Sequence, residues 1–331
     1  MHPQARAFLD GPVRAQRFPP SEELQDPERL HGYLNSIRGH VELPESPIPV
    51  SQVDQETAFT VPVRVYHGDA PSAVIVYMHG GGWVAGDLNT HDAVCRYLAR
   101  HTPAVVVNVD YRLAPETPYP GPLDDTFSAL CWSAERAADW GVTSGRLVVA
   151  GSSSGGNLAA AAALHARDTG WPALAGQILI YPVTDHVTDT ESYRLFGDGD
   201  HYLSAVQMDW YWQQYVPDQA QRLSPDASPI HASSLAGLAP AMLITAGRDI
   251  LCAESEEYAR RLAEAGVPAR LRNYPHASHG FFHLLGAAPD ARDAVDTSAK
   301  AVRRVLGRDP ADRPGDPLRP AEIRTADKRH L

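Results

Sequence analysis

Three cysteines among 331 residues are too few, and too widely separated, to staple a fold together. Cys95, Cys131 and Cys252 form no CxxC pair, so neither a disulfide framework nor a cysteine metal knuckle is expected. No run of 18 apolar residues occurs, and no segment is expected to span a membrane. The first twenty residues, MHPQARAFLDGPVRAQRFPP, lack the positive-then-apolar pattern and small-residue cleavage site of a signal peptide, so a cytoplasmic location is expected. A formal charge of −11 repels polyanions, which removes nucleic acid from the expected partners. Internal repeats are absent as well. What is present, 44% hydrophobic and 21% charged residues, is ample for the core of one large domain with an insertion.

Short β-branched runs alternate with helical patterns from about residue 58 to residue 305. The expected strands are 58–67, 73–79, 104–110, 146–151, 176–182, 241–247 and 269–275, several of them almost wholly apolar, as strands buried on both faces are. Helical patterns lie at 91–101, 122–139, 154–168, 253–266 and 289–306. Such alternation predicts an α/β fold with a mainly parallel sheet and helices on both faces. Two segments break the rhythm. Residues 1–45 mix helical fragments with prolines, and residues 186–230 are rich in aromatics, including Tyr193, Phe196, Tyr202, Trp210, Tyr211, Trp212 and Tyr215. An insertion of that length beyond a strand end reads as a lid. The core is thus divided into 46–185 and 231–307, and the charged, proline-rich 308–331 reads as a poorly ordered tail.

After the strand RLVVA comes Gly151-Ser152-Ser153-Ser154-Gly155-Gly156, and then a helical run. This is the strand–turn–helix setting of a nucleophile elbow, whose tight turn demands small residues two positions either side of the nucleophile. Only Ser153 has glycine at both. A serine hydroxyl needs an imidazole beside it, oriented in turn by a carboxylate. Asp249 follows the strong strand AMLITAGR, and Asp185, after GQILIYP, is the second candidate. His279 sits in Ser-His-Gly-Phe-Phe beyond the strand ARLRNYP, with His276 and His283 as alternatives. Directly after AVIVYM stands His79-Gly80-Gly81-Gly82-Trp83, glycines that let backbone N–H groups approach a substrate closely. The loop resembles the HGGG loop of lipases and esterases, which implies Gly81, Gly82 and Ser154 N–H as oxyanion donors.

Taken together, the residues resemble the hormone-sensitive lipase-like carboxylesterases of the α/β-hydrolase superfamily. The matching segments are HGGGW (79–83), GDLNTHD (86–92), DYRLAPETPYP (110–120), GSSSGGNLAA (151–160), LIYPVTD (179–185), SPI (228–230), GRDIL (247–251) and HGFF (279–282), in family order. That resemblance implies Ser153, Asp249 and His279 as a catalytic triad, and a helical cap built from the N-terminal region and the 186–230 insertion. It implies cofactor-free and metal-free hydrolysis of small esters, usually with short to medium acyl chains. An acyl pocket is expected between Trp83 and cap aromatics, Trp210 and Tyr211 among them. The family usually reads GDSAG or GTSAG at the elbow, whereas Ser152 and Ser154 stand here; it usually reads DPLRD after the acid, where Ile250, Cys252 and Ala253 stand with Glu254 next. Arg112 and Glu116 are expected to pair beneath the site. Two other classes are compatible with the scaffold: a deacetylase or dehydratase acting on a biosynthetic intermediate, and a silent small-molecule receptor, although such receptors lack the histidine. A homodimer is compatible too, with no residue arguing for it.

Overall fold

The computed structural model describes residues 18–20, 22–38, 47–198, 200–286 and 289–307. The sequence readings for 1–17, 39–46 and 308–331 lie outside the described residues. Among the described residues eight strands form one sheet: β1 (Gln52–Ala58), β2 (Val61–His67), β3 (Ala73–Met78), β4 (Ala104–Val109), β5 (Leu147–Ser152), β6 (Leu174–Ile180), β7 (Ala241–Arg248) and β8 (Ala269–Ser278). Their spatial order is β1-β2-β4-β3-β5-β6-β7-β8, with β1–β2 and β2–β4 antiparallel and every later pair parallel.

Side-chain alternation divides each central strand between two cores. Val74, Val76 and Met78 of β3 join Val105, Val107 and Val109 of β4 on one face, beneath α3 (Gly121–Arg136), α4 (Ser154–Thr169) and α7 (Cys252–Glu264). Ala73, Ile75 and Tyr77 join Ala104 and Val106 on the other, beneath α2 (Asp92–His101) and α8 (Pro289–Val305). Covering both faces leaves these strands no polar side, and this is why they read as unbroken apolar runs.

One expected strand is corrected. The stretch 58–67 is not a single strand but the end of β1, a turn at Phe59 and Thr60, and β2; Phe59 takes φ 54° in that turn. β1 escaped notice because QVDQETA is an edge strand whose residues are mostly exposed or half-exposed, so it carries no apolar pattern.

The segment between β6 and β7 carries two short helices, α5 (Glu191–Phe196) and α6 (Ala205–Tyr215). Thr190 and Ser204 cap them through side-chain oxygens that accept Tyr193 and Gln207 N–H. The N-terminal helix α1 (Pro27–Ile37) begins with proline behind an Asp26 cap and packs on this insertion. Leu24, Leu34 and Trp210 form a third apolar cluster with Val84 and Ala114, extended by Phe18, Tyr33 and Tyr211. No helix among the described residues is long and apolar enough to cross a membrane.

Candidate active site

β5 ends at Ser152, and the chain turns into α4 through Ser153 at φ 56°, ψ −121°, a conformation that L-residues rarely hold. Close glycine contacts enforce it. A Cβ at Gly151 would lie 2.2 Å from the Gly155 carbonyl oxygen, and one at Gly155 would lie 2.2 and 2.3 Å from the carbonyl oxygens of Met78 and His79. Hydrogen bonds fasten the turn on both sides. Ser153 N–H donates to Ile180 C=O at 2.9 Å, and Asn157 N–H donates to Ser153 C=O at 3.0 Å. The Asn157 amide then donates to Val183 and Ala227 carbonyls, tying the elbow to the loop beyond β6.

Asp249 follows β7 immediately. One carboxylate oxygen accepts Leu251 N–H at 3.1 Å, and the other accepts from His279 Nδ1 at 2.7 Å. A carboxylate only accepts, so the imidazole carries its proton on Nδ1 and leaves Nε2 bare. That bare nitrogen lies 3.0 Å from Ser153 Oγ. Asp249 is 1% exposed, His279 8% and Ser153 9%, so water competes little for these bonds. His279 itself follows β8, and Gly280 at φ 80° turns the chain away. The alternatives lie elsewhere: Asp185 bonds His231 at 3.0 Å, His276 is exposed on β8, and His283 is half-buried against His91 and Tyr181.

The glycine loop folds beside the elbow. Gly81 C=O accepts the N–H groups of Val84 and Ala85, and Gly81 and Gly82 take φ 129° and 63°. Gly80 approaches Ser153 so closely that a Cβ there would lie 3.4 Å from the serine Cβ. Among the described residues nothing accepts from the N–H of Gly81 or Gly82. Ser154 opens α4, where first-turn N–H groups also lack intrahelical partners and the helix dipole favours negative charge.

A family model described as alpha/beta hydrolase fold matches residues 75–283. Over 277 residues the chain is 39% identical to carboxylic ester hydrolase LipN of Mycobacterium tuberculosis, covering 81% of this chain and 72% of LipN. The chain belongs to the hormone-sensitive lipase-like carboxylesterases. Carboxylesterase NlhH of the same organism is 39% identical over 272 residues, covering 80% of this carboxylesterase-family chain and 84% of NlhH. Among solved structures, a thermostable esterase from Pseudomonas putida ECU1011 superposes with a TM-score of 0.80 at 36% identity, covering 92% of this chain and 97% of that one.

This member of the family places several side chains differently from the sequence expectation. Trp83 is fully enclosed, stacked on Tyr215 at 4.3 Å and tilted against Trp212 at 4.9 Å. Trp210 is enclosed too, edge-on to Phe18 and Tyr33. Trp83 thus packs between the core and α6, and Trp210 packs between α6 and α1. Tyr211 does reach the site: its ring lies against Gly82, 2.5 Å from where a Cβ would sit. Arg112 and Glu116 do not pair. Arg112 clasps Asp125 with Nε and a terminal nitrogen at 2.8 and 2.7 Å, while Glu116 accepts both terminal nitrogens of Arg38. Arg38 also donates to Val84 C=O and Ala114 C=O, so α1 is anchored one residue beyond the HGGGW segment.

Several other neighbours of the site are residues to which the sequence alone assigns no position there. Tyr202, at φ 84° and 41% exposed, lays its ring over His279 with centroids 6.1 Å apart. Tyr181 flanks the same imidazole at 4.6 Å. Behind the loop, His79 stacks on Tyr111 at 4.3 Å, and His91 meets Ser152 Oγ and His283 Nε2, each at 3.2 Å. Burial disfavours charge on these imidazoles, holding His79 down at about 4 and His283 at about 3, with His91 well below the usual histidine range. Ser152 thus contributes a neutral hydroxyl to a neutral network. The added hydroxyl of Ser154 lies near the Tyr111 phenol, whose own proton goes to His79 C=O at 2.8 Å.

Proposed function

We propose that this chain hydrolyses short- to medium-chain carboxylic esters through an acyl-enzyme on Ser153. The observation that carries the reading is the continuous relay from Ser153 Oγ through His279 to Asp249, at 3.0 and 2.7 Å. The ester carbonyl sits over Ser153 with its oxygen toward the N–H groups of Gly81, Gly82 and Ser154. His279 Nε2 takes the hydroxyl proton as Oγ forms its bond to the carbonyl carbon. Asp249 stabilises the imidazolium without taking its proton. The tetrahedral oxyanion gathers charge against the backbone donors, each worth roughly 2.7–4 kcal/mol in the transition state. His279 then returns the proton to the departing alcohol, and water repeats the cycle to release the acid.

Esters are favoured over amides because an alcohol leaves more readily than an amine. Tyr211 and Tyr202, at the Gly82 and His279 sides of the site, supply apolar walls for the acyl and alcohol groups. The presence of His279, already hydrogen-bonded to Ser153, favours an enzyme over a silent receptor. All three thiols are unpaired, which suits the reducing cytoplasm.

Hydrolysis of 4-nitrophenyl acetate through octanoate, followed for the native chain and Ser153→Ala, tests the proposal. The variant is expected to lose on the order of 10⁶ in kcat, and to lose labelling by a fluorophosphonate. Equal rates in the two proteins would remove Ser153 from the chemistry.

A further inference from the structure

Away from the triad, two loops bring an aspartate and two histidines into one cluster. Asp185 and His186 lie just beyond the β6 end, and His231 lies in the 3₁₀ turn Pro229–His231. Asp185 Oδ1 is 3.0 Å from His231 Nε2 and 3.4 Å from His186 Nδ1, and all three ligating atoms lie within 4.8 Å of one another. In a tetrahedral zinc centre with ligands at about 2.0–2.1 Å, neighbouring donor atoms are separated by about 3.3 Å. The two separations from Asp185 already suit an ion.

Three further observations favour one. His186 Nδ1 is buried and makes no hydrogen bond within the protein, so one lone pair or proton stands unused. Asp185 is held in place by its own turn, its Oδ1 accepting the N–H groups of His186 and Val187. Finally, Ile230 N–H donates to Thr184 C=O at 3.1 Å, which fixes the two loops against each other before any ion arrives. Preorganised ligands of this kind carry little ordering cost.

We propose that Asp185, His186 and His231 bind one divalent transition-metal ion of the zinc class, with water in the fourth position. Two imidazoles and one carboxylate suit zinc, cobalt or nickel and discriminate against calcium and magnesium, which take oxygen ligands. Arg222, which also faces His186, opposes a second positive charge, and the Asp185 carboxylate offsets it. The site is a clamp rather than a second catalytic centre. His186 stands edge-on to Trp212 of α6 at 6.3 Å, and Trp212 packs on Trp83, so an ion here fastens the cap to the core. The proposal is independent of the role given to Ser153.

Titrating the metal-free full chain with cobalt, and reading its visible ligand-field absorption, tests the clamp. One saturating equivalent with the intense band of four-coordinate cobalt is expected, bleached by zinc and untouched by excess magnesium or calcium. His186→Gln and His231→Gln should each weaken binding by at least the 10–100-fold that loss of an outer-shell partner alone costs. Circular dichroism of the metal-free variants checks that they remain folded. The native chain should also unfold at a higher temperature with zinc, and the variants should not. No saturable band, or equal affinity in folded variants and native chain, would overturn the site.

Discussion

His91 Nε2 faces the Gly80 N–H at 3.3 Å, and it does so as an acceptor. The direction follows from the other side of the ring. Thr90 Oγ1 spends its proton on Asp87 C=O at 2.7 Å, so it accepts from His91 Nδ1 at 2.9 Å. A ring protonated at Nδ1 is bare at Nε2. His91 therefore steadies the glycine loop from behind, as a positioning residue. In His91→Phe the acceptor is gone, and kcat should fall by up to about 10² as the loop shifts, with KM nearly unchanged. Steady-state kinetics on 4-nitrophenyl esters would show the split; an equal rise in KM would make the residue a binding determinant instead.

Replacing Asp249 by Asn keeps its shape but lets the amide donate to His279, which favours the wrong tautomer. Asp249→Asn should lower kcat by about 10⁴ while substrate binding persists. His276→Ala, altering an exposed ring on β8, should leave the rate as it is. Parallel assays of the two variants test the placement of the acid and base together.

Gly155→Ala places a methyl group against two backbone carbonyls at 2.2 and 2.3 Å, neither of which has room to retreat. The expected outcome is a loss of about 3 kcal/mol or more in stability, or failure to fold, in urea unfolding of the purified variant.

The desolvated imidazoles predict acid sensitivity. In the unfolded chain His79 and His283 take up protons around the ordinary histidine value, whereas in the folded chain burial keeps them neutral down to about 4 and about 3. Between those limits the unfolded state binds more protons, so stability is full above the ordinary histidine range and drains away as pH falls through it. Thermal unfolding from pH 7 to pH 4 should show the decline. His283→Phe should flatten it, and an unchanged slope would exclude His283 as a contributor.

Much of this was readable in the chain itself, for reasons that differ by residue. Ser153 was legible because an elbow is a local device: the strand, the glycines and the helix are contiguous. Asp249 and His279 were legible at one remove, since each stands just beyond a strong apolar strand. β1 was not, because an edge strand of Gln, Asp and Glu carries no hydrophobic period. Nor were the partners of Arg38, which bonds Glu116 across 78 positions, or the His91–His283 contact across 192. Such pairs are chosen by the packed fold, and composition holds no trace of them. The enclosed Trp83 shows the same limit from the other side. The sequence puts this tryptophan beside a glycine loop, and its stacking on Tyr215 comes from the packed fold.

The elbow's close packing also sets where variation can enter this molecule. Gly151 and Gly155 are shut to any side chain by main-chain atoms, which no nearby repacking can move aside. Positions 152 and 154 already carry hydroxyls that turn toward His91 and Tyr111, so change there retunes the histidine network and leaves the serine's posture alone. The turn itself is thereby closed to side-chain variation, while the positions between its glycines are not.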